Sequence, residues 1–303
     1  MRPMIEDAHL HFFSKTVFGF YARQVESFKE ELDPAAAAAA WLSVEPPAAE
    51  PEALAARWAA ELDLHGVARA ALFGSAPGEH NNVARAARSQ PGRFLPFQMV
   101  NPRGADLAGV LRQLAEHEIR GVLLFPAMHG YYPDEDACRP IYAAAREHGF
   151  VVFVHVGRLQ IGIREKLGIR GGIEDKYGDP ARLALIVREY ADVPFIVPHF
   201  GCGTFDALCG AARGARNLYM DTSSSNSWIA DSRFPDLGAV FRAALDAPEI
   251  GPERLLFGSD STVFPRGWRT DVHEQQQQAL ESIGVSDADR ALIFGGNLRR
   301  LLP

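Results

Sequence analysis

"FVVFVHVG", residues 150–157, is the stretch whose reading decides the fold. A strand with one face in water alternates apolar and polar side chains. A strand that does not alternate is covered on both faces, as in a parallel sheet flanked by helices. This run is apolar from Phe150 to Val154, and His155 is its first polar residue. The same form recurs in "VARAALFG" (67–74), "RFLPFQMVNP" (93–102), "IRGVLLFP" (119–126), "PFIVPHFG" (194–201), "NLYMDTSS" (217–224) and "RLLFGSDS" (254–261). With the opening "MIEDAHLHFF" (4–13), eight strands are expected.

Helical patterns lie between them, among them 52–66, 105–118, 134–149 and 179–191. Two stop at a glycine, after His65 and His148, as helix C-termini prefer. A late helix opens at Ser286, with Asp289 at capping-box spacing. Eight strand-then-helix units with right-handed crossovers close most simply into an α/β fold of the (β/α)8 TIM-barrel type, one domain over 1–303. An open doubly wound sheet is the alternative.

Composition is that of a globular chain with a sizeable core: 47% hydrophobic and 23% charged residues in 303. A net charge of −7 and a pI near 5.8 give no electrostatic footprint for nucleic acid or an anionic membrane, so a small-molecule substrate is the expected partner. No apolar run reaches membrane-spanning length. The opening lacks the pattern of a secretory signal, and three cysteines (Cys138, Cys202, Cys209) make an odd count, so a cytoplasmic location is expected.

Two segments exceed ordinary loop length. Residues 12–50 follow strand one and contain "FFSKTVFGFY", the low-complexity "DPAAAAAAW" and the Pro-rich "VEPPAAEPE"; residues 157–179 follow strand five. In a barrel both lie over the C-terminal face, where substrates bind, and the first also offers a surface for a homodimer.

The chemistry-bearing residues fall at strand ends. In "DAHLH", alternation puts His9 and His11 on one face with Asp7. His155 ends strand five, His199 strand six and Asp260 strand eight. One strand-end histidine is ordinarily a hydrogen-bonded structural residue. Five such positions converging on one pocket make a set of imidazoles and a carboxylate suited to Zn²⁺, and less selectively to Mn²⁺, Fe²⁺ or Co²⁺.

"DAHLH", "VVFVHVG", "FIVPHFG", "LYMDTS", "LLFGSDS" and the terminal "IFGGNLRRLL" together resemble the amidohydrolase-related branch of the metal-dependent TIM-barrel hydrolases. That branch includes aminocarboxymuconate-semialdehyde decarboxylase, resorcylate-type decarboxylases and lactone hydrolases. The resemblance implies one divalent metal, Zn²⁺ or Mn²⁺, held by His9, His11, His155 and Asp260, with His199 at the metal's water or the substrate. It leaves Asp7 to orient a histidine or to accept strand-end hydrogen bonds. Two-metal members of the superfamily carry a carboxylated lysine on strand four; here "GVLLFP" has none, and Phe125 stands where the branch often has a histidine.

The activity this implies is hydrolysis of an ester, lactone or amide-like bond by metal-activated water, with Asp260 and His199 as catalytic residues. The alternative is non-oxidative decarboxylation of an aromatic or muconate-like acid, with Arg158 as the nearest cation for its carboxylate. A non-catalytic binding barrel would not need all five positions filled. "GCGTFD" (201–206) lacks the third glycine of a dinucleotide fingerprint. Phe12, Phe13, Tyr131, Tyr132 and Trp268 are candidates for ring stacking or for plain packing, and 221–228 for pocket lining. His65, His117 and His148 read as helix-end residues, and Gln275–Gln278 as a solvent-facing turn.

Overall fold

A computed structural model describes residues 4–303, except for the side chains at 225, 226 and 231. Eight parallel strands run in chain order: β1 (Ile5–His11), β2 (Val67–Gly74), β3 (Phe94–Met99), β4 (Gly121–Leu124), β5 (Val151–Val154), β6 (Phe195–Val197), β7 (Leu218–Asp221) and β8 (Leu255–Leu256). The barrel closes where β8 meets β1. There Ala8 N–H donates to Phe257 O at 2.8 Å, His11 N–H to Ser261 O at 2.8 Å and Asp260 N–H to His9 O at 2.9 Å. The chain is therefore a (β/α)8 barrel, and the open sheet is excluded.

Two buried layers explain the unbroken apolar runs. Val151 and Phe153 point into the barrel with Phe73, Phe97 and Leu123. Their neighbours Val152 and Val154 point out to the helices, where Ile141, Tyr142 and Ile186 cover them. Each large apolar side chain so enclosed contributes roughly 1.5–3 kcal/mol relative to exposure, on both faces, and no polar alternation survives.

Helix bounds differ from expectation where proline intervenes. The helix expected over 134–149 is Arg139–His148, because Pro140 belongs in a first turn and a 3₁₀ turn, Asp136–Cys138, precedes it. The segment 179–191 splits at Pro180 into a 3₁₀ turn and the helix Leu183–Glu189. Ser286 caps as expected, accepting from Asp289 N–H at 3.1 Å.

The low-complexity "DPAAAAAAW" is a helix, Pro34–Trp41. Asp33 caps it by accepting from Ala36 N–H at 3.2 Å, proline fills its first turn, and alanine is the best helix former. Its small side chains Ala35, Ala38 and Ala39 pack with Val17, Phe18 and Tyr21 of the helix Lys15–Ala22, and with Ile163 and Leu167 from the second excursion. The two long segments thus share an apolar core of their own, a cap over the C-terminal rim. The indole N–H of Trp41 donates to Lys166 O at 3.3 Å and ties them together. Among the described residues no helix is long and apolar enough to cross a membrane.

Candidate metal centre and cavity

His9 and His11 end β1 side by side, their Nε2 atoms 3.2 Å apart. Asp260 arrives from the segment after β8, with Oδ1 3.3 Å from His11 Nε2 and 3.6 Å from His9 Nε2. These three residues each offer a ligand atom within 4.8 Å of the others. Asp260 sits at a positive φ of 58°, and His199 at 56°. Such conformations cost a non-glycine residue of order 1 kcal/mol and persist where surrounding structure imposes them. At Asp260 the constraint is its own N–H, pinned to His9 O.

Hydrogen-bond partners assign the tautomers. His9 Nδ1–H donates to Asp221 Oδ2 at 2.6 Å. His11 Nδ1 lies 2.6 Å from Ser75 Oγ, and that hydroxyl donates onward to Phe73 O, so the imidazole is the donor. His199 Nδ1–H donates to Ser223 O at 3.0 Å. Each Nε2 is therefore a lone pair. His9 Nε2, His11 Nε2 and Asp260 Oδ1 converge as three acceptors with no proton of their own between them. In a largely enclosed place that arrangement is unfavourable unless a cation or a bound proton lies among them.

The electrostatics set His9 apart from the other histidines. Burial lowers His9, but the Asp221 carboxylate outweighs it and raises the imidazole above its ordinary value. Burial lowers His11, His155 and His199, which are neutral as metal ligands must be. Burial works to raise Asp260, yet the imidazoles of His11, His9 and His199 around it, whenever they carry a proton, hold it well below the usual carboxylate range.

His155 and His199 share this wall, their rings 5.2 Å apart. His199 stacks on His9 at 5.3 Å. Neither belongs to the three-residue cluster. The His155 ring lies against Phe125 at 5.9 Å, and its Nδ1 is buried with no hydrogen-bond partner among the described residues. The donor chemistry, the committed Nδ1–H groups and this orphaned nitrogen all fit a divalent cation.

Asp7 is not on the imidazole face. A register irregularity between Asp7 and Leu10 breaks the alternation of β1. Its carboxylate accepts from His9 N–H (2.9 Å), Ser259 N–H (3.0 Å), Ser259 Oγ–H (2.5 Å) and the Trp268 indole (2.8 Å). Burial pushes it up to about 6 against those four donors. Asp7 and Trp268 are therefore the clasp between β1 and β8. The orienting carboxylate is Asp221, the first polar residue after the run of β7. A Cβ at Gly258 would stand 2.7 Å from Asp221 Oδ1 and 2.9 Å from His9 Cβ, so only glycine passes there.

A cavity of about 290 Å³ opens on the cluster. Cap residues Phe18, Tyr21, Leu42, Val44, Ile161 and Ile163 wall it, with Phe13 and Phe125 below. Arg158 is exposed and is not among its lining residues; the cations that line it are Lys166, Arg266 and Arg269. Arg266 is exposed as a residue, yet partial enclosure of its guanidinium, with the like charge of Arg269 beside it, lowers its pKa from the ordinary value. Phe12 and Tyr131 are core residues, and Tyr132 packs on Tyr177. Ser224 lines the cavity, whereas the side chains of Ser225 and Asn226 lie outside the described residues. Gln276 is buried, not solvent-facing, and its amide N–H₂ donates to Thr222 O at 2.8 Å.

A histidine and carboxylate cluster at the C-terminal rim of a (β/α)8 barrel defines a metal-centred barrel enzyme class. The profile of the family described as Amidohydrolase matches residues 7–303, and the chain belongs to that family. Solved structures share the fold. A 5-carboxyvanillate decarboxylase from Sphingomonas paucimobilis is 15% identical, covering 99% of this chain and 98% of its own, with a TM-score of 0.63. A second such decarboxylase, from Novosphingobium aromaticivorans, complexed with manganese and 4-hydroxy-3-methoxy-5-nitrobenzoic acid, is 16% identical over 98% and 95%, at 0.64. A probable 2-pyrone-4,6-dicarboxylic acid hydrolase from Acinetobacter baumannii, with citric acid bound, is 14% identical over 98% and 98%, at 0.59. No curated protein matches the chain in sequence.

Proposed function

We propose that this chain is a metal-dependent hydrolase that cleaves an ester, lactone or amide-like bond in a small organic substrate. The observation that carries it is the meeting of His9 Nε2, His11 Nε2 and Asp260 Oδ1 as unprotonated donors at the floor of the cavity. His9, His11 and Asp260 would hold the cation, with His155 as the fourth ligand. That nitrogen and oxygen set suits Zn²⁺ first and Mn²⁺ second. When bound, the cation supplies Lewis-acid polarisation of a carbonyl and lowers the pKa of water from about 15.7 towards roughly 7.

The chain's own residues supply the rest. Asp260, held ionised, accepts the proton of the attacking water and returns it to the leaving group. Asp221 keeps His9 in the tautomer that presents Nε2. His199, with its Nδ1–H on Ser223 O, offers an acceptor nitrogen, so it orients water instead of polarising the carbonyl.

Decarboxylation is the second reading. The Phe125 ring laid on His155 makes that wall apolar, and an apolar wall favours a carboxylate leaving as neutral CO₂. Turnover of an aryl ester, lactone and benzoic-acid panel in H₂¹⁸O separates the two. Hydrolysis places ¹⁸O in the product acid and is lost in Asp260→Asn. Release of CO₂ alone replaces the first reading by the second, and no turnover by metal-loaded protein rejects both.

A further inference from the structure

Two apolar layers face each other across the cavity. Met99 is the last residue of β3, Phe125 the first after β4, and Leu159 follows β5; all three are buried and belong to the core that fills the barrel. Opposite them stand Phe18, Tyr21 and Ile163, which belong to the core of the cap. The Phe125 ring lies 5.9 Å from that of His155 at an interplanar angle of 27°, so the barrel-side wall begins beside the metal cluster. Met128, half-buried in the short helix Pro126–His129, extends it.

Charge is placed differently. Lys166 and Arg266 are exposed, where water reaches them. Arg269 is half-buried, and its Nε and Nη2 donate to Asp271 at 2.8 and 2.7 Å. Burial pushes the Tyr21 phenol up to about 12, so it stays neutral. Asp260 is the one carboxylate among the described lining residues, and it faces His9 and His11. Among those residues no lysine or arginine is buried. A charged substituent laid on the Met99–Phe125–Leu159 wall would therefore lose its water without gaining an ionic partner. Each methylene buried there instead strengthens binding roughly fourfold.

We propose that Phe125 is a specificity-determining residue, the centre of a pocket that takes an uncharged hydrocarbon part of the substrate. This rests on the reading of His9, His11 and Asp260 as the reacting end. The substrate class is then an ester or lactone whose body is an apolar ring or short chain, with no charged group away from the bond that reacts. A cavity of about 290 Å³ is at the small end for ligand sites and holds one such ring. The unbranched side chains of Met99 and Met128 let the wall adapt to its outline.

The test is NMR titration with two ketones, which no hydrolase cleaves: 4-phenyl-2-butanone carrying a para-nitro group, and the same ketone carrying a para-carboxylate of nearly equal shape. Both are titrated into metal-loaded wild type and into His9→Ala/His11→Ala, where no metal can take the carboxylate. The nitro ketone should bind about tenfold or more tightly than the carboxylate in both proteins. In the double-variant background Phe125→Leu should keep that preference and Lys166→Gln should leave it intact. Phe125→Lys should shift it towards the carboxylate by about tenfold, and Met128→Lys, at a half-buried position, should do the same if Phe125→Lys does not fold. The probes do not react, so failure of the hydrolase reading, seen as no ester or lactone turnover, is distinguishable from failure of this one. A double variant that binds the carboxylate as tightly as the nitro ketone, or binds neither, overturns the assignment. So does a preference that a lysine at neither position changes.

Discussion

At the rim of the barrel, His9, His11 and Asp260 come from opposite ends of the chain and meet because β8 closes on β1. In the cap, Phe18, Ala38 and Ile163 meet only because two excursions fold onto each other. The first convergence is imposed by topology: any polar residue that ends a strand of a closed barrel faces one pocket. The second depends on side-chain packing between segments that have no fixed register. On the proposed function, the reacting groups lie at the rim and the cap walls the cavity above them, and variants should separate the two.

The largest effect is expected from Asp260→Asn, which keeps the shape and removes the proton acceptor. Turnover should fall by about 10²–10⁴-fold in steady-state assays, and a near-normal kcat would remove Asp260 from its role. Asp221→Asn acts one step back, through His9. Metal affinity measured by competition with a chelator should drop by about 10–100-fold, while an unchanged affinity would make Asp221 a packing residue.

Acid probes the same contact. The raised pKa of His9 means that, without metal, a proton persists on the imidazole to higher pH than on an ordinary histidine. Above that pKa metal affinity should be flat. As pH falls through it the proton competes, and affinity should decline by about tenfold per unit. His11, whose pKa is lowered, joins the competition only at more acid pH. Affinity that rises on acidification would contradict this sign. The smallest effect belongs to the cap. Phe18→Ala trims a cavity wall and should raise KM roughly fivefold with metal content unchanged, whereas loss of metal would show that rim and cap are not separable.

Legibility in the sequence follows the same division. The eight strands were readable because burial on two faces leaves continuous apolar runs, and the positions of His9, His11, His155, His199 and Asp260 followed from where those runs end. Asp221 obeys the identical rule in "NLYMDTSS" and was passed over, although it orients His9. Asp7 was placed on the wrong face because alternation fails at an irregular register, which no local pattern reveals. The helix Pro34–Trp41 was hidden by its low complexity, despite the Asp-Pro start and the alanine run that favour it. Arg158 was named for its nearness in sequence to His155, and it is exposed and does not line the cavity. Nearness in space brings other cations to the cavity: Lys166 from the second excursion, and Arg266 and Arg269 from the segment after β8.

The most direct measurement is metal content by inductively coupled plasma mass spectrometry, on protein purified without chelator or a metal-affinity tag, beside His9→Ala/His11→Ala. About one equivalent of Zn or Mn in the wild type, lost in the double variant, is the predicted result. No bound metal after incubation with excess Zn²⁺ and Mn²⁺, in protein that remains folded, would mean that a proton and not a cation joins the three acceptors, and would contradict the proposed chemistry.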